Sequence, residues 1–158
     1  MNSDLLTVAR DRSRMLGIPF HAQALPAVPA DLAPLRGKKI LLVDDSPDIL
    51  AAFLPLLVAA TEGKAELLLH REGSPEDLAE SVLKLHPSVI LLDEYLAGGV
   101  RGHDVASLIK KKLPESLCIG FSNAESPRTL FEQEGAKFVY KDVSDPEGTL
   151  ARVADVLA

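Results

Sequence analysis

Three short apolar runs in this chain each end on ionised groups. Lys39-Ile40-Leu41-Leu42-Val43 closes on Asp44-Asp45, Val89-Ile90-Leu91-Leu92 on Asp93, and Phe138-Val139-Tyr140 on Lys141. Short apolar runs without polar alternation have the pattern of strands buried on both faces, the condition of a parallel sheet. In open α/β sheets, ligands bind at the carboxyl ends of the strands. The pattern therefore predicts that Asp44, Asp45, Asp93 and Lys141 meet at one edge. Two carboxylates ~4 Å apart repel by about 4 kcal/mol at an effective dielectric near 20. A hard divalent cation with oxygen ligands removes that repulsion, and beside phosphate the usual one is Mg²⁺. The runs point to a metal-dependent phosphoryl site.

The rest of the chain alternates in the same way. We read strands at 39–44, 65–70, 88–93, 117–121 and 137–140, and helices at 47–61, 75–85, 102–113, 127–134 and 146–157. Ser74-Pro75-Glu76-Asp77 supplies an N-cap, a first-turn proline and acids matched to the helix dipole. Ser144-Asp145-Pro146-Glu147 repeats that chemistry before the last helix, while Pro87 and Pro114 stop two others. The expected fold is α/β, a five-stranded parallel sheet with helices on both faces and right-handed crossovers. Residues 38–158 would form this domain and residues 1–37 an N-terminal arm. In the arm, residues 2–16 read as a short helix with Leu5, Leu6, Val8 and Met15 as its apolar positions. Pro19, Pro26, Pro29 and Pro34 then predict an extended connector.

Composition limits the function. Aromatic residues make up 4% and Trp is absent, so an aliphatic core is expected. A net charge of −6 argues against nucleic acid and against anionic membranes. Cys118 is the single cysteine, which excludes an internal disulfide, and its place in a strand reads as a small buried hydrophobe. The N-terminus has no secretory apolar segment, and the longest apolar run, Ile49 to Ala60, is far shorter than a membrane span of about 20 residues. A cytoplasmic protein is expected. That same run carries no charge although it reads as a helix, so something should cover it, either the arm or a second copy in a homodimer. His21, His70, His86 and His103 have no ligand spacing and read as surface or helix-end residues.

From about Lys38 to Ala158 the chain resembles a receiver domain of the two-component response regulators, of stand-alone type. The resemblance rests on Asp44-Asp45, Asp93, Ser122 after the fourth strand, Phe138, and Lys141 after the fifth strand, in that order. Gly98-Gly99-Val100-Arg101-Gly102-His103-Asp104-Val105 and Gly135-Ala136-Lys137-Phe138-Val139-Tyr140-Lys141 add to it. It implies a flavodoxin-like receiver fold with Asp93 as phosphoacceptor, the carboxylate acting as nucleophile. It further implies Mg²⁺ held by Asp44, Asp45, Asp93 and the backbone carbonyl of Tyr95. Lys141 would pair with Asp93 and then with the phosphoryl group, Ser122 would donate its hydroxyl to that group, and Phe138 would move with Ser122. The implied partners are a histidine kinase or phosphotransfer protein and an output protein reached through protein contacts. No turnover beyond self-phosphorylation and self-dephosphorylation at Asp93 is expected. Since Ala158 comes right after the last helix, no output domain is expected.

Three positions and one spacing depart from that pattern. Asp142 follows Lys141 where a proline after a cis peptide is usual, leaving a trans bond or a strained loop. Ala97 stands in place of a proline, Asn123 in place of a small residue, and the spacing from Ser122 to Lys141 shortens the intervening helix by nearly a turn. Asn123, Asp142 and the short helix favour the alternative of a pseudo-receiver, a module that interacts without being phosphorylated, while the complete acidic triad with Lys141 opposes it. A haloacid-dehalogenase-type hydrolase would need an acid two residues after its nucleophile, where Tyr95 stands. No glycine-rich turn follows the first strand, which argues against a dinucleotide site.

Overall fold

In the computed structural model, which describes residues 2–158 and side chains from Asp4 onward, the three apolar runs are strands, the first two buried throughout and the third exposed at Tyr140. Met1, the first residue of the predicted arm, lies outside the described residues. Strands β1 (Ile40–Asp44) and β3 (Val89–Leu92) are buried at every position. They lie side by side inside a five-stranded sheet of order β2-β1-β3-β4-β5, whose other members are β2 (Glu66–Leu69), β4 (Leu117–Ser122) and β5 (Lys137–Tyr140). Every pairing is parallel, and the register sets Val43 against Leu92. Asp44 and Asp93 therefore leave neighbouring strands at the same level. The winding direction reverses between β1 and β3, where open sheets of this kind form their binding crevice.

Because side chains alternate across a strand, each strand serves two cores. Ile40, Leu42, Leu91, Ile119, Phe121 and Val139 face α2 (Pro47–Ala60), α6 (Pro146–Leu157) and the arm. Leu41, Val43, Ile90, Leu92 and Phe138 face α3 (Pro75–Lys84), α4 (Gly102–Lys112) and α5 (Arg128–Gln133). The core is not purely aliphatic: Phe53, Phe121 and Phe131 are among its largest fully buried side chains. Phe53 and Phe121 pack edge to face at 5.3 Å, while the two tyrosines, Tyr95 and Tyr140, are exposed. Helix starts follow the sequence signals. Ser74 and Asp77 form a reciprocal capping box, and Asp145 rather than Ser144 caps α6 by accepting from the Gly148 N–H at 2.9 Å. Ser144 instead donates to Asp142, at 2.6 Å.

Helix α1 (Asn2–Leu16) lies beside α2 and the β2 edge. Its start touches the turn after α2, with the Leu5 side chain against Gly63. At its end the Leu16 carbonyl accepts from Arg71, just past β2, at 3.3 Å. It thus runs antiparallel to α2. The following segment is not extended throughout: Ala30–Leu35 forms a 3-10 helix containing Pro34. The reason is burial. Leu32 and Leu35 are three residues apart, so a 3-10 turn puts both on one face, and both are fully buried in the core with α2 and α6. Ala9 and Ile18 complete the cover. No helix among the described residues is long and apolar enough to cross a membrane.

Candidate functional site

Asp44, Asp93, Lys141 and Ser122 are all buried at the carboxyl edge of the sheet, and Asp45 is half-buried beside them. Oxygens of Asp44, Asp45 and Asp93 lie within 4.8 Å of one another. Strand ends explain the convergence, since Asp44 closes β1, Asp93 follows β3, and Lys141 follows β5 with its N–H on the Ser122 carbonyl at 2.8 Å.

The partners are unequal. Asp44 is satisfied at both oxygens: Oδ1 accepts from the Ser46 N–H at 3.0 Å and Oδ2 from Lys141 Nζ at 2.6 Å. Asp93 accepts from the Glu94 N–H at 2.8 Å through Oδ1, while its Oδ2 lies 3.4 Å from Lys141 Nζ. Lys141 thus sits closer to Asp44 than to the Asp93 that the resemblance implied. The more deeply buried carboxylate has less water to stabilise it and takes the ammonium. Burial raises the Asp93 pKa to about 6; Lys141 opposes the rise and Asp44 adds to it. Burial, then the neighbouring Asp44, also raises that of Asp45. Both shifts mark a site short of positive charge.

Two further observations concern ligands. The Ser122 hydroxyl is fully buried and makes no hydrogen bond, whereas buried polar atoms are ordinarily partnered. Three carboxylates drawn this close form an all-oxygen donor set, which suits Mg²⁺ or Ca²⁺ rather than softer metals. Phe138 is buried beneath the Arg128 guanidinium, 4.8 Å from the ring centre, and Glu125 holds Arg128 at 2.8 and 3.2 Å. Tyr95 is half exposed, its ring under the Arg101 guanidinium at 4.9 Å.

Sequence reasoning missed what lies directly behind Asp93. Glu94 is fully buried and bound by Arg101 and His103. The buried His70, whose Nε2 is 3.1 Å from the Ala97 carbonyl, is not a surface residue, whereas His103 stands at the start of α4 as read, with its ring against Glu94. A signal existed: in an extended chain the residue after Asp93 points to the opposite side, into a helix layer where a lone carboxylate needs cations. Arg101 and His103 stand seven and nine residues on.

No family model and no curated protein sequence matches the chain. Solved structures do. The response regulator DrrB of Thermotoga maritima is 26% identical, with a TM-score of 0.60 over 76% of this chain and 52% of the longer one. A BeF3-activated DrrB receiver domain aligns over 97% of its length at 24% identity and a TM-score of 0.60. The receiver domain of an Arabidopsis thaliana histidine kinase, complexed with Mg²⁺ and BeF3⁻, aligns at a TM-score of 0.61 and 18% identity, over 82% of this chain and 97% of that one. The chain has the fold of a response-regulator receiver domain. Within that receiver fold, α5 has only six residues, and the Lys141–Asp142 bond is trans.

Proposed function

We propose that this receiver accepts a phosphoryl group on Asp93 from a histidine kinase or phosphotransfer protein and passes the signal on through protein contacts. The observation that carries the reading is the asymmetry among the acids. Asp44 is engaged at both oxygens, whereas Asp93 keeps an oxygen with only a long contact. With a pKa raised to about 6 it is ionised at neutral pH and available as a nucleophile. An Asp93 oxygen attacks phosphorus, the bond from phosphorus to the donor's nitrogen or oxygen breaks, and the donor leaves with the electron pair. Such transfers depend mainly on positioning and charge neutralisation. Lys141, already 3.4 Å from Asp93, pairs with the transferred group. The unpartnered Ser122 hydroxyl donates to it, and Phe138 follows Ser122 inwards. Asp44, Asp45, Asp93 and the Tyr95 carbonyl would hold Mg²⁺. Its role would be to neutralise the carboxylates and the phosphoryl oxygens.

Incubation with acetyl phosphate and Mg²⁺ tests this. One phosphoryl group should be added and Asp93→Asn should abolish labelling; undiminished labelling of that variant refutes the assignment. The closeness of Lys141 to Asp44 favours a second reading, a pseudo-receiver with no phosphorylation. A wild-type chain that stays unlabelled at saturating Mg²⁺ would select it.

A further inference from the structure

We propose that Glu94 is a positioning residue that sets metal affinity, by clamping the loop that carries the Tyr95 carbonyl. The proposal rests on the phosphoacceptor reading and concerns the same site. Glu94 follows Asp93 directly, and its carboxylate is fully buried. It accepts from Arg101 Nε at 3.1 Å, and Nη2 lies 2.9 Å away in the ion pair. It also accepts from the His103 backbone N–H at 2.9 Å and from His103 Nδ1 at 2.7 Å. The backbone closes the same loop. The Glu94 carbonyl accepts from the Gly102 N–H at 2.8 Å, the Val100 carbonyl from the Leu96 N–H at 3.0 Å, and Tyr95 bridges Arg101. A Cβ at Gly102 would overlap the Asp93 carbonyl, so the loop passes directly against the phosphoacceptor backbone.

Stability alone does not account for this cluster. An apolar residue at position 94 would fill the space without desolvating charge, and buried ion pairs seldom outperform such replacements. What a satisfied charged network adds is fixed geometry. The loop needs it, because Gly98 and Gly99 both have positive φ and Ala97 imposes no backbone restraint. Tyr95 stands between Glu94 and Leu96, both tied down, and its ring rests on the same Arg101. Partners behind a metal ligand hold that ligand in place, and their loss typically weakens metal binding 10- to 100-fold.

The test is a Mg²⁺ titration of the full chain, read by calorimetry and, separately, by the Mg²⁺ concentration giving half-maximal labelling with acetyl phosphate. Glu94→Gln should raise both midpoints by about tenfold, with the labelling rate at saturating Mg²⁺ held within roughly twofold. Arg101→Met should raise them too, and Arg101→Lys should recover part of the loss. A merely structural role would lower the melting temperature without moving the midpoints, measured well below the melt. Unchanged midpoints, or a lower maximal rate at an unchanged midpoint, overturn the proposal. If Glu94→Gln does not fold, the contrast between Arg101→Met and Arg101→Lys decides alone. A wild type with neither Mg²⁺ binding nor labelling overturns the phosphoacceptor reading itself, before any variant is made.

Discussion

The arm-covered face and the carboxyl edge of the sheet are both largely buried, yet one is filled mainly by apolar groups and the other gathers like charges. Over α2 and α6, Leu32, Leu35, Phe53 and Leu57 meet apolar neighbours, and the buried Thr61 hydroxyl both donates to the Leu57 carbonyl and accepts from the Ala65 N–H. At the edge, the Ser122 hydroxyl has no partner and three acids share one lysine. Apolar burial is what a stable fold selects; a buried cluster of like charges persists where a ligand is to complete it. The difference separates the part of this protein that holds it together from the part that acts.

The largest effect should come from removing the cover. Deleting residues 1–36 exposes the surfaces that Leu32 and Leu35 bury, and truncating even one buried leucine costs about 2–5 kcal/mol. A domain with a total stability of roughly 5–15 kcal/mol then melts far lower, or associates through α2. Thermal melting and sedimentation measure both. A truncated domain that is monomeric and melts like the full chain would make the arm a passive tail and erase the contrast between the two regions.

Next in size is the edge itself. Lys141→Met leaves Asp44 and Asp93 without their ammonium, and breaking a buried pair from one side costs about 3–5 kcal/mol. Mg²⁺ should restore much of that loss, whereas it should do nothing for the arm deletion. Asp93→Asn should act in the opposite direction and stabilise the metal-free protein. The sign follows from proton linkage. A folded-state pKa of about 6 lies above the ordinary 3.8, so the folded chain binds this proton more tightly than the unfolded one. The stabilisation is complete below the ordinary value and is lost as pH rises through about 6. Without metal, the wild-type melting temperature should therefore fall relative to Asp93→Asn over that window. Parallel pH profiles would mean that Asp93 is not held in a charge-starved site.

Much of this was legible in the sequence. Each strand-end acid was marked by the run before it, because a buried parallel strand tolerates no charge until it emerges at the edge. The bounds of the predicted helices were fixed by local chemistry such as the Ser74 cap, which acts within one turn. What stayed hidden depends on distant partners. The 3-10 turn at Leu32 and Leu35 forms because α2 and α6 lie beneath it, and prolines alone suggested extension. The Lys141 preference for Asp44 over Asp93 is decided by relative burial, which spacing does not encode. Glu94 and His103 meet only once the glycine-rich loop turns back on itself.

The smallest effect concerns the lifetime of the acyl phosphate. Tyr95 is two residues beyond Asp93 and shields the mouth of the site only to the extent that its ring leans towards it. The ring is instead half exposed and rests on Arg101, which Glu94 holds in turn. A stacked guanidinium and aromatic ring contribute about 0.5–1 kcal/mol at an exposed site, so the ring leaves this position readily. Its shielding is therefore partial, and Tyr95→Ala and Tyr95→Asn should each speed self-hydrolysis only about two- to fivefold, the factor that roughly 0.4–1 kcal/mol on the barrier produces. Loss of label from the phosphorylated wild type and variants, followed at one Mg²⁺ concentration above all their midpoints, measures it. Arg101→Met frees the ring without removing it, so it should slow hydrolysis if the released ring falls over the phosphoryl group. Equal rates in all four proteins would place Tyr95 outside the path of the attacking water and leave the carboxyl edge open.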